Sequence, residues 1–276
     1  MRTTLFSILV IACILSSCSE YQKILKSEDV ALKFKMGDSL FQEGKYEKAN
    51  RIFAQIVPKY KGKPQAQKLM YLYSKSFFEM KDYYVSGYQF ERFVASYPKS
   101  EKREEAAFLS AKSYYMLSPR YSKDQKETKD AIEKLQEFIN VYPNSQYVSE
   151  ANVLVKELDF KLEKKAFEIA KQYNHISDFK ASIKSFDNFI FQFPGSTLRE
   201  DALFYRLDAA YKLAVNSVDF KRTAEGIVNL KKNRLEQAKE YFNAFKKAYA
   251  ASKYIAEAEE MAATINEQLE VYSAKS

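Results

Sequence analysis

Five times along the chain a small residue is followed four places later by a large apolar one, three further by another, and four beyond that by an aromatic ring. The small residues are Ala49, Ser86, Ala131, Ser182 and Ala238, and the next are Phe53, Phe90, Leu135, Phe186 and Phe242. Then come Ile56, Phe93, Phe138, Phe189 and Phe245, and last Tyr60, Tyr97, Tyr142, Phe193 and Tyr249. Steps of 4, 3 and 4 keep all four positions on one face of an α-helix. The small residue lets a neighbouring helix come close while the large ones fill the groove between them. Pro98, Pro143 and Pro194 follow the closing aromatic in three copies, where the ring ends the helix. Ser100, Ser145, Ser196 and Ser252 stand three places after that aromatic, positioned to cap the helix that follows. Lys61 and Ala250 take the place of the proline in the first and last copies.

Each such helix has a partner upstream. In the first pair Gly37 lies twelve residues before Ala49, and Gly44-Lys45-Tyr46 makes the turn between them. This resembles the tetratricopeptide (TPR) pattern, a helical hairpin of about 34 residues with A-x3-F and then Pro in its second helix. Here successive copies lie 37, 45, 51 and 56 residues apart, so the later ones carry insertions. These fall around Leu117 to Thr128, within a lengthened helix near Lys161 to Tyr173, and around Val215 to Leu235. The expected fold is all-α, a TPR-like α-solenoid of about five helical hairpins, closed by a capping helix from about Tyr254 to Tyr272. Composition agrees, since an apolar content of 46% with only six Gly and six Pro leaves core enough and few turns.

The N-terminus reads as a targeting signal. Arg2 precedes an apolar run from Leu5 to Leu15, eleven residues and therefore short of a membrane span. Leu15-Ser16-Ser17-Cys18 then resembles the bacterial lipobox, in which the Cys becomes the first mature residue and carries acyl chains. Residues 1–17 are thus the expected signal peptide, Cys18 the lipid attachment site and 18–27 a lipidated tether. Cys13 would leave with the signal, so the mature chain has no second thiol for a disulfide or a cysteine cluster. Several acyl chains imply permanent membrane residence, and Ser19 after the Cys points to the outer membrane.

The same inventory speaks against an enzyme. His175 is the one histidine, so metal clusters and histidine-based triads lack parts. The six Gly are scattered and make no phosphate-binding loop, so neither metal nor cofactor is expected. Glu104-Glu105 and Glu259-Glu260 read as solvated helix faces. Lys231-Lys232-x-Arg234 reads as a loop edge able to meet lipid head groups or an acidic partner. The formal charge of +8, or +7 without Arg2, fits lysine-rich helix faces and acidic partners in an exported protein, with no nucleic-acid role. A surface carbohydrate-capture role would call for Trp platforms, and the chain has no Trp.

A lipobox cysteine, five TPR-like copies with enlarged spacing, Tyr-Pro-x-Ser turns and the YPNSQY stretch at 142–147 before a long helix through Leu162-Glu163-Lys164 together resemble the BamD family. The resemblance spans nearly the whole mature chain. It implies a non-enzymatic lipoprotein scaffold anchored in the outer membrane, facing the periplasm, in the β-barrel assembly machinery. By that resemblance residues 28–146, repeats 1–3, receive the C-terminal signal of unfolded outer-membrane β-barrel substrates. Residues 147–276, repeats 4–5 with the capping helix, dock on the POTRA domains of a BamA-like Omp85 barrel protein. Arg199, Glu200 and Arg206 are the docking candidates it implies. The family pattern has an Arg directly before the Asp-Ala that opens the fifth repeat, whereas here Glu200 precedes Asp201-Ala202 and Arg199 stands one place earlier. The alternative is a TPR lipoprotein scaffold serving cell-wall or envelope secretion complexes.

Read by register, the first helices of repeats 1–3 align three lines of residues. Phe34, Tyr71 and Phe108 form one, Asp38, Lys75 and Lys112 a second, and Phe41, Phe78 and Tyr115 a third. Two aromatic ladders with a mostly basic line between them suit an extended peptide that ends in an aromatic residue and a carboxylate. Equally, aromatic rings at helical spacing pack between repeats. Lys75 and Lys112 discriminate, because a Lys is not buried without a partner.

Overall fold

Every one of the recurring stretches ends a helix, and the computed structural model supplies the partner helix in front of each. It describes residues 20–223 and 226–273, with the side chains of 221–228 left aside. Cys18 and the signal at 1–17 lie outside the described residues. Helix α1 (20–26) is followed by α2 (Val30–Gln42), α3 (Tyr46–Ile56), α4 (Ala66–Glu79), α5 (Tyr83–Ser96), α6 (Arg103–Leu117) and α7 (Lys126–Val141). Then come α8 (Val148–His175), α9 (Phe179–Gln192), α10 (Arg199–Val215), α11 (Leu230–Ala248) and α12 (Ile255–Ser273). Helices α2 to α11 pair as five hairpins and α12 follows, so the all-α, TPR-like reading holds. Between α10 and α11 the last insertion forms a short antiparallel hairpin, β1 (Phe220–Thr223) with β2 (Gly226–Asn229), in which Phe220 faces Asn229 in the register. The Lys231-Lys232-x-Arg234 run is not a loop edge: it is the first turn of α11, capped by the Asn229 side chain.

The described residues divide into two compact units, one running up to 119 and taking in 124–158, the other 120–123 with 159 onwards. The division falls inside α8, whose 28 residues make it the longest of the described helices. In the first unit Phe53, Phe90 and Phe93 are fully buried, as are Phe186, Phe189 and Phe245 in the second. All six are positions of the recurring pattern, and each such ring contributes about 1.5–3 kcal/mol through burial. Ala49, Ala131 and Ala238 are equally inaccessible, as the small position requires. Helix α1 belongs to the first core, where Tyr21 and Ile24 are buried. Gly37 makes room for a core ring: a Cβ there would lie 2.5 Å from a ring carbon of Phe53, so the Phe53 side chain of α3 packs directly on the α2 backbone.

The turns hold one correction. Ser100, Ser145, Ser196 and Ser252 do not cap the next helix, which begins three residues later after Lys102 in one case and Leu198 in another, neither with a capping side chain. Instead each Oγ accepts from the amide two residues on, at 3.0–3.1 Å, and closes a local turn. Three of these hydroxyls also tie repeats together, that of Ser100 by accepting from Gln67 Nε2 at 2.7 Å. Ser145 Oγ donates to Glu104 Oε1 at 2.5 Å and Ser252 Oγ to Glu200 Oε1 at 2.6 Å. The side chains that do cap are Asp29, Asp82, Asp178 and Asn229. Proline is not needed for the stop, since α11 ends on Tyr249 as α7 ends on Tyr142 although Ala250 replaces the proline. In the first copy, a 3-10 turn (Val57–Tyr60) does the work, with Pro58 inside it.

Candidate functional site

The three register lines lie on α2, α4 and α6 of the first unit, and the structure sorts them by burial. Phe41, Tyr71 and Phe108 are each less than a tenth exposed. Phe108 stacks on Tyr147 with centroids 4.8 Å apart and 8° between planes. Tyr71 meets Phe90 and Phe93 edge-on. These rings serve packing, Phe41 and Tyr71 within their own hairpins and Phe108 both against Phe138 of its own hairpin and against Tyr147 of the next repeat. Phe34, Phe78 and Tyr115 are partly exposed. Phe34 lies 5.7 Å from Tyr60, and Lys68 Nζ sits 5.6 Å above its ring.

The line between the ladders is ionic, and every member has a partner one repeat further on. Asp38 pairs with Lys68 at 2.6 Å, Lys75 with Glu105 at 3.7 Å and Lys112 with Glu150 at 2.6 Å. The Lys75 and Lys112 side chains keep about a third of their surface, 31% and 29%. They are therefore paired lysines at an accessible edge. Tyr71 Oη donates to Glu105 at 2.5 Å, Lys102 Nζ donates to the other oxygen at 2.8 Å, and Tyr115 donates to Glu157. Burial, followed by the bond to Glu105, pushes the Tyr71 phenol well above its ordinary range. The bond to Glu157, followed by burial, pushes Tyr115 up to about 12. For Glu105, burial pulls upward, but the Lys102 and Tyr71 hydrogen bonds outweigh it and leave the carboxyl below its ordinary range. The helical period alone does not mark these acids as partners. Glu104-Glu105 is no solvated face; both carboxylates accept side-chain hydrogen bonds. The signal was present in the spacing, since Glu105, Glu150 and Glu157 follow Tyr71, Lys112 and Tyr115 by 34, 38 and 42 residues, near one repeat length.

In the second unit the three docking candidates are all engaged by their own fold. Arg199 donates to the Ile190 carbonyl at 3.0 Å, which ties α10 to the last turn of α9. Glu200 accepts from Ser252. Arg206 pairs with Asp187 at 2.8 Å and stacks over the Tyr241 ring at 4.1 Å. They stand at the start and middle of α10 and are preorganised, which lowers the ordering cost of any contact they make. His175 is the last residue of α8. Among the described residues no group of three or more His, Cys, Asp or Glu side chains is placed to hold a metal ion, and no helix is long and apolar enough to cross a membrane.

The site is a run of helical hairpins with ionic pairs between successive first helices, and comparison with known proteins gives its family. Residues 28–227 match the family model YfiO, outer membrane lipoprotein. The chain belongs to this family. It is 24% identical over 213 residues to the outer membrane protein assembly factor BamD of Rickettsia prowazekii, across 76% of this chain and 83% of that one. It is 25% identical over 101 residues to the BamD of Helicobacter pylori, a match that spans 37% of this chain and 46% of its relative. Among solved structures it is similar to the TPR2AB domain of yeast Sti1 in complex with pHSP90, at 13% identity and a TM-score of 0.38, over 86% of this chain and 98% of that one. The expected BamD-family membership and outer-membrane association therefore stand.

Proposed function

We propose that the chain is a non-enzymatic scaffold of outer-membrane β-barrel assembly, anchored through lipid on Cys18 and facing the periplasm. In this reading repeats 1–3 receive the C-terminus of unfolded barrel substrates along α2, α4 and α6. The partly exposed Phe34, Phe78 and Tyr115 offer ring contacts there, and Lys75 and Lys112 meet the terminal carboxylate. Repeats 4 and 5 hold a BamA-like Omp85 barrel protein through its POTRA region, with Arg199, Glu200 and Arg206 at the contact. Anchoring adds strength to modest contacts by holding both partners at one surface. The observation that carries the reading is the family match across residues 28–227, joined to a relative named as an assembly factor and matched over 83% of its length. The test is a mild-detergent pull-down of the lipidated protein from crosslinked envelopes with partners identified by mass spectrometry. Recovery of an Omp85-type barrel at near-equal amount, diminished by Arg206→Ala, supports the assembly role. Recovery of peptidoglycan enzymes or transporters in its place overturns it.

A further inference from the structure

A cleft of about 430 Å3 opens between α5, α6 and α7 of the first unit. Its apolar wall is made by Val94, Ala95, Pro98, Ala107, Ala111 and Phe138. Arg103 and Tyr142 also line it, the guanidinium 5.8 Å above the phenol ring, and Arg103 Nε and the Tyr142 hydroxyl are both buried with no protein partner. Two buried polar groups left without a partner at the same site are uncommon, because each costs about 1–3 kcal/mol of lost hydration.

The chain carries its own comparison. Helices α9 and α10 repeat α5 and α6 at an offset of 96 residues, from the Asp82 and Asp178 caps to Arg103 and Arg199 at the helix starts. Helix α11 ends on Tyr249 as α7 ends on Tyr142. At that offset Ala107, Ser110 and Ala111 become Leu203, Arg206 and Leu207. Leu203 and Leu207 are buried, and Arg206 is held by Asp187 and the Tyr241 ring with only 12% of its side chain exposed. The hairpin therefore accepts large side chains at these positions. The opening in the first copy comes from its small residues, not from the architecture.

The second copy also indicates what the first lacks. There the equivalent arginine, Arg199, donates through Nη1 to a main-chain carbonyl, that of Ile190 at 3.0 Å, and leucines supply the apolar volume. The charged side chains lining the first cleft balance, Glu91 and Glu137 against Arg103 and Lys134, which disfavours a charged guest. Val141, 56% exposed at the rim, adds apolar contact. We propose that this cleft receives a neutral segment of a partner polypeptide, with one Leu- or Phe-sized side chain in the apolar wall and its main-chain carbonyl accepting from Arg103 Nε and Tyr142 Oη. The site lies on a different face of α6 from Phe108, Lys112 and Tyr115, because 103, 107 and 111 fall on another helical stripe. It goes beyond the assembly reading and stands whether or not that reading does.

The test is a titration of the isotope-labelled full mature chain with an acetylated, amidated hexapeptide carrying one central Phe in a Gly/Ser background, followed at the Arg103 side-chain Nε–H by NMR. A saturable shift of that signal is expected. Ala111→Leu, which installs the residue of the second copy, should weaken binding roughly tenfold or more with an unchanged circular dichroism spectrum. Ala107→Leu serves the same purpose should the first variant fail to fold. The proposal is overturned if millimolar peptide leaves Arg103 unmoved, or if folded leucine variants bind as the parent does. It is equally overturned if the Phe-free peptide binds as well, or if a free C-terminal carboxylate binds roughly tenfold tighter, which would mark an anion site.

Discussion

Tyr254 lies flat on Phe204, ring centroids 4.1 Å apart and 6° between planes, and its hydroxyl donates to Asp201 Oδ1 at 2.5 Å. The same stack joins Tyr147 to Phe108 in the first unit. In both places the second residue after a turn serine reaches back to the helix one hairpin earlier. For the second unit this contact fixes the start of α12, the helix that closes the stack. Tyr254→Ala removes ring and hydroxyl together and should lower the unfolding free energy of the second unit by about 3 kcal/mol. Tyr254→Phe keeps the ring and should cost about 1 kcal/mol. Urea unfolding followed by circular dichroism measures both, and equal costs would mean that the ring stack contributes nothing.

Alkaline titration should reveal these tyrosines directly. Burial, then the bond to Asp201, pushes Tyr254 up to about 12. Burial, then the bond to Asp219, pushes Tyr272 up to about 12, and Tyr115 reaches the same value through Glu157. A phenol whose folded value is raised stabilises the fold fully below its unfolded value, near 10. That stability is lost as pH rises from about 10 through about 12. Native absorbance at 295 nm should therefore show tyrosines that ionise near pH 12, a component that disappears in urea and shrinks in Tyr254→Phe and Tyr115→Phe. Ionisation of every native tyrosine near pH 10 would contradict the hydrogen bonds.

The packing of the Phe53 ring on the Gly37 backbone makes a third expectation. A Cβ on Gly37 would sit 2.5 and 2.9 Å from two ring carbons of Phe53, itself fully buried. The ring cannot withdraw without opening the core. Gly37→Ala should destabilise the first unit by about 1–3 kcal/mol despite alanine's better helix propensity. At Gly87 the nearest atom is the Tyr114 ring edge at 3.3 Å, so Gly87→Ala should cost clearly less. Thermal melts of the two variants rank them, and a reversed order would overturn the packing argument.

The hairpins were legible because they follow from a local period. Ala49, Phe53, Ile56 and Tyr60 share a helical face whatever surrounds them, and the burial of Phe90, Phe186 and Phe245 follows from the same count. What the period could not convey is which polar groups meet across repeats. Glu105 reads as solvated and the period marks nothing at Glu150 or Glu157, yet each receives a side chain from the preceding repeat, because adjacent first helices bring residues about one repeat length apart into contact. The serine turns differ from the capping expectation for a related reason. A serine three residues ahead of a helix closes its own local turn, and the spare donor then finds Glu104 or Glu200. The cleft at Arg103 and Tyr142 escaped notice because a void is a property of the residues around it. Only the comparison of Ala107 and Ala111 with Leu203 and Leu207 exposes it in sequence.

The groove reading makes its sharpest demand at Lys112. A peptide carboxylate must compete with Glu150, which already holds the ammonium at 2.6 Å while keeping 46% of its own side chain exposed. An exposed pair of this kind is worth about 0–1 kcal/mol, so displacement is cheap and its effect readable. Glu150→Gln removes the competitor and should tighten binding of a peptide ending in Phe with a free carboxylate by roughly twofold to fivefold. Lys112→Gln should weaken the same peptide, and an amidated version should respond to neither change. Rising salt should shrink the Glu150→Gln gain by screening the exposed charges. Fluorescence anisotropy with the two peptides decides the matter. Should Glu150→Gln tighten the amidated peptide equally, Lys112 is not meeting a carboxylate, and the ionic line serves only to hold repeat three against repeat four.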